Sequence, residues 1–269
     1  MTVPRQAETA VIDAGTIHGV AFDTDGVMTD TASVHSAAWK EMFDEFLARR
    51  AESSGERTEP FEHGDYLRYV DGRPRYDGVR SFLRARGIEL PEGDPSDPPD
   101  RETVCGLGNR KDQRFLEMIR NRGVRRFESS VDLVKDLRGR GVRVAVVSAS
   151  RNMREVLDAA GIRDLFDATV DGVNSERLGL AGKPDPALFL EAAARLGVDP
   201  AEAAVVEDAT AGVEAGRRGG FALVIGVGRS GDPDALLEHG ADVVVSDLAE
   251  VRVTGRPPRD PDAPPAPGP

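Results

Sequence analysis

The hydrophobic residues of this chain fall into short continuous runs that are separated by longer amphipathic segments. The runs are apolar at successive positions rather than at alternate ones, which is typical of strands buried on both faces of a parallel sheet. Helical periods lie between most of them, at 130–141, 186–197 and 208–220. This alternation predicts an α/β fold with a doubly wound parallel sheet. The five runs are HGVAFD near residue 20, RVAVVS ending at Ser148, AAVVED ending at Asp208, ALVIGV near residue 225 and DVVVS ending at Ser246.

One long stretch departs from the alternation of strand and helix. Residues 33–122 contain helical patterns, among them SVHSAAWKEMFDEFLARR at 33–50, RYDGVRSFLRARG at 75–87 and NRKDQRFLEMIRNRG at 109–123, but no convincing strand. They predict a helical domain inserted after the first strand. The predicted organisation is a flexible N-terminus over 1–14, an α/β core over 15–32 and 123–250, a helical cap over 33–122, and a disordered proline-rich tail over 251–269.

Charge and cysteine content narrow the classes of function. The 269 residues carry a net charge of −12, which repels nucleic acid phosphates and anionic membranes, so neither is expected as a partner. Cys105 is the single cysteine, which excludes a disulfide within the chain and a thiolate metal site. No apolar run approaches the length of a membrane span, and the N-terminus lacks a signal-peptide pattern. We therefore expect a cytoplasmic protein.

Acidic residues follow two of the predicted strands. Asp23 ends the first run and Asp25 lies two residues on, while Glu207 and Asp208 end a later run. Ligands of open α/β sheets bind outside the carboxyl ends of the strands, so these four carboxylates converge if the two strands are neighbours. Oxygen ligands of this kind suit Mg²⁺. Taken singly, each acid could equally be the cap of a following helix, and this is the interpretation that we favour for Asp30.

Two further strand and helix ends carry candidate phosphate ligands. Ser148 ends a strand and is followed by Ala149, Ser150, Arg151 and Asn152, whose backbone N–H groups could hold a phosphate at a helix N-terminus. A simple N-cap by Ser148 or Ser150 is the alternative. Lys183 in GKPDP stands just before a helix, where the macrodipole does not favour it. Pairing with the carboxylates or with a phosphate explains this position, and a solvated lysine remains the alternative.

Four motifs, DTDGV, VVSAS, GKPDP and VVEDATAGVEAG, together resemble the ordered motifs of the haloacid dehalogenase superfamily of phosphotransferases, over about 18–248. FDTDGVMTDTASVHSAAWK, NRKDQRFLEMI, SASRN and LVIGVGR further resemble the β-phosphoglucomutase-like subfamily. The resemblance implies that Asp23 is the nucleophile, that Asp25 is the general acid and base, and that Ser148 and Lys183 complete the catalytic group. It also implies that Mg²⁺ is held by Asp23, the backbone carbonyl of Asp25, Glu207 and Asp208.

The same resemblance implies a set of substrate-binding residues: His35, Trp39, Arg75, Lys111, Ser150, Arg151 and Asn152. By itself His35 would more often be structural, and Trp39 is as readily explained as part of a helical core. The sequence also departs from the subfamily pattern. Arg151 replaces the usual lysine, and Asp71, Arg73 and Gly78 differ in the loop that contacts the substrate.

The resemblance implies an isomerase of carbohydrate metabolism that converts β-D-glucose 1-phosphate to glucose 6-phosphate through an aspartyl phosphate and a sugar bisphosphate. A phosphatase that acts on a small sugar or polyol phosphate is the alternative, because attack by water on the same aspartyl phosphate gives hydrolysis. A non-catalytic binding protein is disfavoured, since such a protein needs no nucleophile. We expect a monomer with a sugar phosphate substrate and a sugar bisphosphate intermediate.

Overall fold

The computed structural model describes residues 10–55, 59–70, 73–229 and 232–257. These residues divide into two compact units. The core unit comprises the described residues up to Asp30 and from Arg125 onwards, and the helical unit comprises those from Thr31 to Val124. The chain therefore leaves the core unit after its first strands, forms the helical unit, and returns to complete the core.

The core unit is built on a parallel sheet. The strands in the described part of the chain are β1 (Val11–Asp13), β2 (Gly19–Asp23), β3 (Arg143–Val147), β4 (Ala168–Val170), β5 (Ala203–Glu207), β6 (Leu223–Val227), β7 (Val243–Val245) and β8 (Arg252–Thr254). Six of them form one sheet in the order β4–β3–β2–β5–β6–β7. Starting from β2, the chain adds β3 and β4 on one side of the sheet and then adds β5, β6 and β7 on the other side. The predicted doubly wound parallel sheet is confirmed, and its topological switch point lies between β2 and β5.

Burial explains why the strand signal was continuous. Every residue of β2 and of β5 is buried, so neither strand has a polar face to alternate with an apolar one. Each fully buried valine side chain contributes about 1.5–3 kcal/mol of transfer free energy. The short strand β4 was not predicted, because only one of its three residues is fully buried and its pattern is too weak to stand out.

The helical unit contains α1 (Ala32–Ser54), α2 (His63–Asp65), which continues as a π-helical turn over Tyr66–Val70, α3 (Arg75–Ala85) and α4 (Val104–Arg122). Its core includes Phe43, Phe61 and Phe82, whose ring centroids lie 4.1–5.1 Å apart. Helix α4 begins before the predicted 109–123 because the Thr103 side chain accepts the N–H of Gly106 at 2.9 Å and caps an earlier turn.

Six helices flank the sheet of the core unit. They are α5 (Glu128–Gly139), α6 (Met153–Ala160), α7 (Gly172–Leu178), α8 (Ala187–Leu196), α9 (Thr210–Arg218) and α10 (Pro233–Glu238). Single 3₁₀ turns occur at Arg163–Leu165, Pro200–Glu202 and Leu248–Glu250. Helices α5, α8 and α9 correspond to the periodic segments of the sequence. Among the described helices of the chain, none is long and apolar enough to cross a bilayer.

A second, two-stranded sheet corrects the prediction for the chain ends. Strands β1 and β8 pair in parallel, with Ile12 opposite Val253. They lie within 1–14 and 251–269, which were predicted to be flexible and disordered, respectively. Each strand is only three residues long and is stabilised by a partner at the other end of the chain, so no local pattern reveals it. Residues 1–9 and 258–269 of these predicted segments lie outside the described residues.

The two points where the chain leaves and re-enters the core unit are joined by backbone hydrogen bonds. The N–H of Asp30 donates to the carbonyl of Arg125 at 2.8 Å. Thr29 forms an antiparallel bridge with Arg126, and the N–H of Phe127 donates to the carbonyl of Met28 at 3.0 Å. The start and the end of the insertion are thus held side by side within the core.

Candidate active site

Three carboxylates meet at the topological switch point of the sheet. Asp23 is the last residue of β2, Glu207 is the last residue of β5, and Asp208 follows it. The register pairs Phe22 with Val206, so the next residue of each strand emerges at the same sheet edge. Oxygen atoms of Asp23, Glu207 and Asp208 lie within 4.8 Å of one another. The structure therefore brings together three of the four acids that the sequence places at strand ends as metal ligands.

Lys183 lies among these carboxylates. Its ammonium donates to Asp23 Oδ1 and, at 2.6 Å, to Glu207 Oε2. The ring of Phe189 covers it, with the Lys183 Nζ 4.9 Å from the ring centroid. This arrangement gives Lys183 buried partners for its charge, which a solvated lysine would lack. Phe189 was not identified from the sequence, where it reads as an ordinary apolar position of α8.

Burial and mutual repulsion shape the titration of the cluster. Desolvation, followed by the neighbouring Glu207 carboxylate, raises the pKa of Asp23 to about 7 in spite of Lys183. Desolvation, followed by Glu207 and Asp23, raises the pKa of Asp208 to about 9. Burial opposes the charge on Lys183, but Asp23 and Glu207 outweigh it and raise its pKa above the usual range. One ammonium does not compensate three carboxylates, so the cluster favours a further cation.

Two glycines make room for this cluster. Gly26 has a φ of +79°, and a Cβ built there would lie 1.8 Å from Asp208 Oδ2. A Cβ at Gly212 in α9 would lie 2.1 Å from the Glu207 side chain. Any side chain at either position would displace a carboxylate. The small residues of 208–220 predicted close packing of this helix, but the sequence did not indicate which glycine faces which acid.

Asp25 lies beside the cluster: its backbone contacts Asp23 and its side chain faces Ser148. Its backbone N–H is hydrogen-bonded to the Asp23 carboxylate. Ser148 Oγ lies 3.5 Å from Asp25 Oδ2, at the outer limit of a hydrogen bond. Between the two acids, Thr24 Oγ1 donates to the carbonyl of Val147 at 3.0 Å and fixes the end of β2 against β3. The fixed turn separates the two carboxylates and gives them different surroundings.

The segment after β3 forms a serine-rich turn. Ser148 Oγ accepts the N–H of Ser150 at 3.0 Å, and Ser150 Oγ accepts the N–H of Asn152 at 3.1 Å. Asn152 is the N-cap residue of α6, and its side chain does not accept a capping hydrogen bond from the described helix. Arg151 is exposed and pairs with Glu176 at 3.0 Å. The hydroxyls thus shape the turn at the helix N-terminus, while Arg151 is directed to a carboxylate of α7.

In the helical unit, three predicted site residues lie together. Lys111 Nζ is 2.7 Å from His35 Nδ1, and because the ammonium can only donate, the neutral ring carries its proton on Nε2. Burial, followed by the charge of Lys111, holds the pKa of His35 well below its usual value. Lys111 also lies over the rings of Trp39 and Phe115, at 5.4 and 5.0 Å. His35 stacks on Phe115 at 4.2 Å.

Arg75 lies in a separate ion pair of the helical unit. Its guanidinium is 2.9 Å from Asp112 Oδ2 and lies 5.0 Å from the centroid of the Tyr76 ring. Gly78 packs against Trp39, since a Cβ there would lie 3.3 Å from the indole. Arg73 is exposed, and Asp71 lies outside the described residues. Asp112 was not identified from the sequence, although it follows Lys111 directly.

The donor set of the core cluster fits a magnesium ion. Asp23, Glu207 and Asp208 offer only oxygen ligands, which Mg²⁺ prefers, and they retain negative charge after Lys183 is counted. Burial, followed by the neighbouring carboxylates, raises the pKa values of both Asp23 and Asp208, and a bound cation would offset both effects. These three residues are therefore able to bind a divalent cation.

The chain is similar to proteins of known families. Residues 17–220 match the family model described as haloacid dehalogenase-like hydrolase. The chain is 50% identical over 239 residues to the β-phosphoglucomutase of Mycobacterium bovis, which covers 87% of this chain and 91% of that protein. It is 30% identical over 235 residues to the phosphorylated carbohydrates phosphatase of Thermotoga maritima, and this match covers 85% of this chain and 94% of that protein. Its fold matches the crystal structure of the β-phosphoglucomutase of Clostridium difficile with a TM-score of 0.63 and 24% sequence identity. The match covers 87% of this chain and 92% of that chain.

Proposed function

Because the chain belongs to the haloacid dehalogenase superfamily, in its β-phosphoglucomutase-like subfamily, and is a phosphotransferase, we propose that it is a magnesium-dependent phosphosugar mutase. The proposed reaction converts β-D-glucose 1-phosphate to glucose 6-phosphate through an aspartyl phosphate and a sugar bisphosphate. The observation that carries this proposal is the pairing of Asp23 with Lys183 at the switch point of the sheet. A carboxylate held there by a buried ammonium is suited to accept a phosphoryl group.

We propose Asp23 as the nucleophile. One carboxylate oxygen attacks phosphorus in line, so that an Asp23 O–P bond forms while the bond from phosphorus to the sugar oxygen breaks. Lys183 offsets negative charge on the transferring phosphoryl oxygens, since its ammonium is already directed at the Asp23 carboxylate. The same ammonium draws Asp23 towards its ionised, nucleophilic form against the effect of burial.

Asp25 is proposed as the general acid and base. It donates a proton to the departing sugar oxygen, and it later removes a proton from the hydroxyl that attacks the aspartyl phosphate. Support for this division of roles comes from the surroundings of the two acids. Asp23 is enclosed with Lys183 and Glu207, whereas Asp25 faces Ser148 at the mouth of the strands. Two carboxylates in different environments can hold different protonation states.

Asp23, Glu207 and Asp208, together with the backbone carbonyl of Asp25, are the proposed holders of Mg²⁺. When bound there, the ion supplies positive charge that stabilises the phosphoryl oxygens during transfer. Ser148, Ser150, Arg151 and Asn152 are proposed to bind the reacting phosphate from the turn that precedes α6. Support for this comes from the two consecutive hydroxyl-to-backbone hydrogen bonds, which fix the shape of that turn.

The helical unit is proposed to bind the sugar and its non-reacting phosphate. Arg75 offers a guanidinium suited to bidentate phosphate binding, and Lys111 a second cation. His35 and Trp39 surround that lysine with a neutral ring and an indole. Retention of a substrate by such groups is what separates a mutase from a phosphatase, because the aspartyl phosphate must be attacked by a sugar hydroxyl and kept from water.

A phosphatase acting on a small sugar or polyol phosphate is the second candidate. It is favoured by the likeness to the phosphorylated carbohydrates phosphatase of Thermotoga maritima, which extends over 94% of that protein. The proposed chemistry of Asp23, Asp25 and Lys183 is common to both candidates. The two differ only in the acceptor of the phosphoryl group, which is a sugar hydroxyl in the mutase and water in the phosphatase.

The experiment that separates them is ³¹P NMR of the purified protein with Mg²⁺, β-glucose 1-phosphate and a trace of glucose 1,6-bisphosphate. The mutase produces glucose 6-phosphate with no accompanying inorganic phosphate. Inorganic phosphate as the main product would identify the phosphatase. Unchanged β-glucose 1-phosphate would contradict the mutase assignment for this sugar, and other small sugar and polyol phosphates would then be the next substrates to supply.

A further inference from the structure

Arg229, which follows β6, makes an unusually large set of contacts with the loop after Asp25. Its Nη1 donates to the carbonyl of Gly26 at 2.9 Å and to the carbonyl of Val27 at 3.0 Å. The guanidinium is largely enclosed, with only 13% of the side chain exposed. One side chain therefore holds two consecutive carbonyls directly after the proposed general acid.

The guanidinium is itself held from two other sides. It lies over the Phe127 ring at 3.7 Å, and Asp247 accepts from its Nη2 at 3.1 Å and from its Nε at 3.3 Å. Nη2 also lies 3.3 Å from the hydroxyls of Ser129 and Ser130. Burial opposes the charge on Asp247, but hydrogen bonds from Ser129 and Ala249 and the Arg229 guanidinium hold its pKa below the usual value. Arg229 is therefore a fixed point and not a mobile surface arginine.

The loop that Arg229 holds is the one that sets the position of Asp25. The N–H of Gly26 donates to the carbonyl of Thr29 at 2.8 Å, and Ser130 Oγ donates to the carbonyl of Val27 at 2.6 Å. On the other side of Asp25, Thr24 is fixed to Val147. Gly26 also has no room to shift towards Asp208, since a Cβ on it would already overlap that carboxylate. The backbone of Asp25 is thus restrained on both sides, and Arg229 acts together with Ser130 and Thr29 on the C-terminal side.

We propose that Arg229 is a positioning residue that aims the side chain of Asp25 at the leaving oxygen by fixing the carbonyls of Gly26 and Val27. This inference rests on the proposed function, because it assigns Asp25 the role of general acid. Arg229 does not touch the reacting atoms itself. Its planar fork can serve two carbonyls, two hydroxyls and a carboxylate at once, whereas the ammonium of lysine has three donors and no plane to stack on Phe127.

The test uses two substrates that differ in their need for an acid. A sugar phosphate releases an alkoxide that must be protonated, while p-nitrophenyl phosphate releases a phenolate that is stable without a proton. Arg229→Lys is expected to lower kcat for β-glucose 1-phosphate by about 30-fold, since misplacing a catalytic group by about 1 Å can cost up to about 100-fold. For p-nitrophenyl phosphate the measured step is the first release of p-nitrophenolate, which precedes the action of Asp25 as a base on the aspartyl phosphate. The same variant is expected to keep the rate of this first release within about twofold.

Arg217→Lys is the matched control, because Arg217 lies on the exposed surface of the core unit and pairs with Asp242. It is expected to leave both rates unchanged. Asp247→Asn provides a second variant in case Arg229→Lys melts below the assay temperature: it keeps the guanidinium and weakens one of its supports, so a smaller loss confined to the sugar phosphate is expected.

The outcomes separate this inference from the proposed function. Wild-type protein that turns over neither substrate would contradict the proposed function, and the inference with it. Active wild type with an Arg229→Lys variant that loses sugar phosphate turnover and the first release of p-nitrophenolate equally, or neither, would contradict the inference alone, because that first release needs no proton from Asp25. A well-folded variant that loses only sugar phosphate turnover supports it.

Discussion

The core unit and the helical unit both contain charged candidate site residues, but the charges are unbalanced in the core unit and paired in the helical unit. In the core, three carboxylates of Asp23, Glu207 and Asp208 share one ammonium, and the excess negative charge remains. In the helical unit, Arg75 is matched one to one by Asp112, and His35 is kept neutral by burial and by Lys111. The core site is short of a cation, whereas the helical site has its guanidinium already engaged.

This difference suggests what each site requires from its ligand. A crowded set of buried carboxylates gains stability when a dication arrives, and that ion would in turn attract the proposed phosphate group. The Arg75–Asp112 pair must instead exchange one anion for another when a phosphate approaches, which reduces the net gain. We therefore expect the strongest effects of substitution in the core and weaker, tuning effects in the helical unit.

The largest expected effect follows from removing one carboxylate of the core cluster. Asp23→Asn keeps the shape and an oxygen for Lys183 but lacks a nucleophile, so turnover is expected to fall by at least about 10⁴-fold. The same change relieves repulsion with Glu207, so the metal-free variant is expected to melt at a higher temperature than the wild type.

Steady-state kinetics and thermal melts in a chelator measure the two effects together. Asp132→Asn is the control, since Asp132 is an exposed acid of α5 whose nearest cation is Lys135 at 3.8 Å. A variant that loses activity and also melts at a lower temperature in the chelator would show that the carboxylates of the core cluster are not in excess.

The second effect is a dependence of stability on pH and metal. The folded pKa values of Asp23 and Asp208, about 7 and about 9, both lie above the ordinary value of 3.8. The folded metal-free protein therefore holds protons that the unfolded chain releases. Their contribution to stability is complete below an unfolded pKa of about 4 and is lost as the pH rises through the folded values. The metal-free protein is thus expected to be less stable at about pH 9 than at about pH 6.

Magnesium is expected to reverse this loss, because it replaces the bound protons as the source of positive charge. At about a hundred times its Kd, a ligand of the folded state contributes about 2.7 kcal/mol. Melting curves with and without Mg²⁺ across this pH range measure the difference, which should widen as the pH rises. A magnesium-induced shift that is constant or shrinks with pH would contradict the assignment of the cluster as the metal site.

The smallest expected effect sharpens the comparison in the helical unit. Asp112→Asn leaves Arg75 without its carboxylate partner, so the guanidinium is released for a phosphate. Half-exposed ion pairs contribute about 0.2–1 kcal/mol, so KM for the sugar phosphate is expected to fall about threefold while kcat stays the same. Asp77→Asn, which removes a carboxylate that pairs with Arg80 on an exposed face of α3, serves as the control for net charge. A rise in KM would mean that Asp112 orients Arg75 rather than competing for it.

Much of the core site could be predicted because local pattern and chemistry coincide there. Strands that are apolar throughout end at Asp23 and at Glu207, and parallel strands place such residues at one edge of the sheet. Lys183 was suggested by an unfavourable position before a helix, and the structure gives it two carboxylate partners. Each of these inferences uses only the order of residues along one element.

The remaining features depend on partners that lie far apart in the sequence. The room that Gly26 makes for Asp208, the partnership of Arg75 with Asp112, and the hold of Arg229 on the loop after Asp25 are all tertiary relations. Strands β1 and β8 are stable only as a pair, so neither end of the chain carries a strand signal by itself. Residues of this kind look ordinary in the sequence because their surroundings define their role.

The backbone pairing at Asp30 and Arg125 has a consequence for how such a protein can be rebuilt. The core holds the two ends of the insertion within a single hydrogen bond of 2.8 Å, and Thr29 and Arg126 reinforce that closure. In the connectivity of the core unit, the whole helical unit is inserted where a hairpin turn could join the same two segments. A tight loop could stand there, or a helical unit of different size, without altering the path of the sheet. The core unit is in this sense a scaffold that tolerates exchange of the inserted unit.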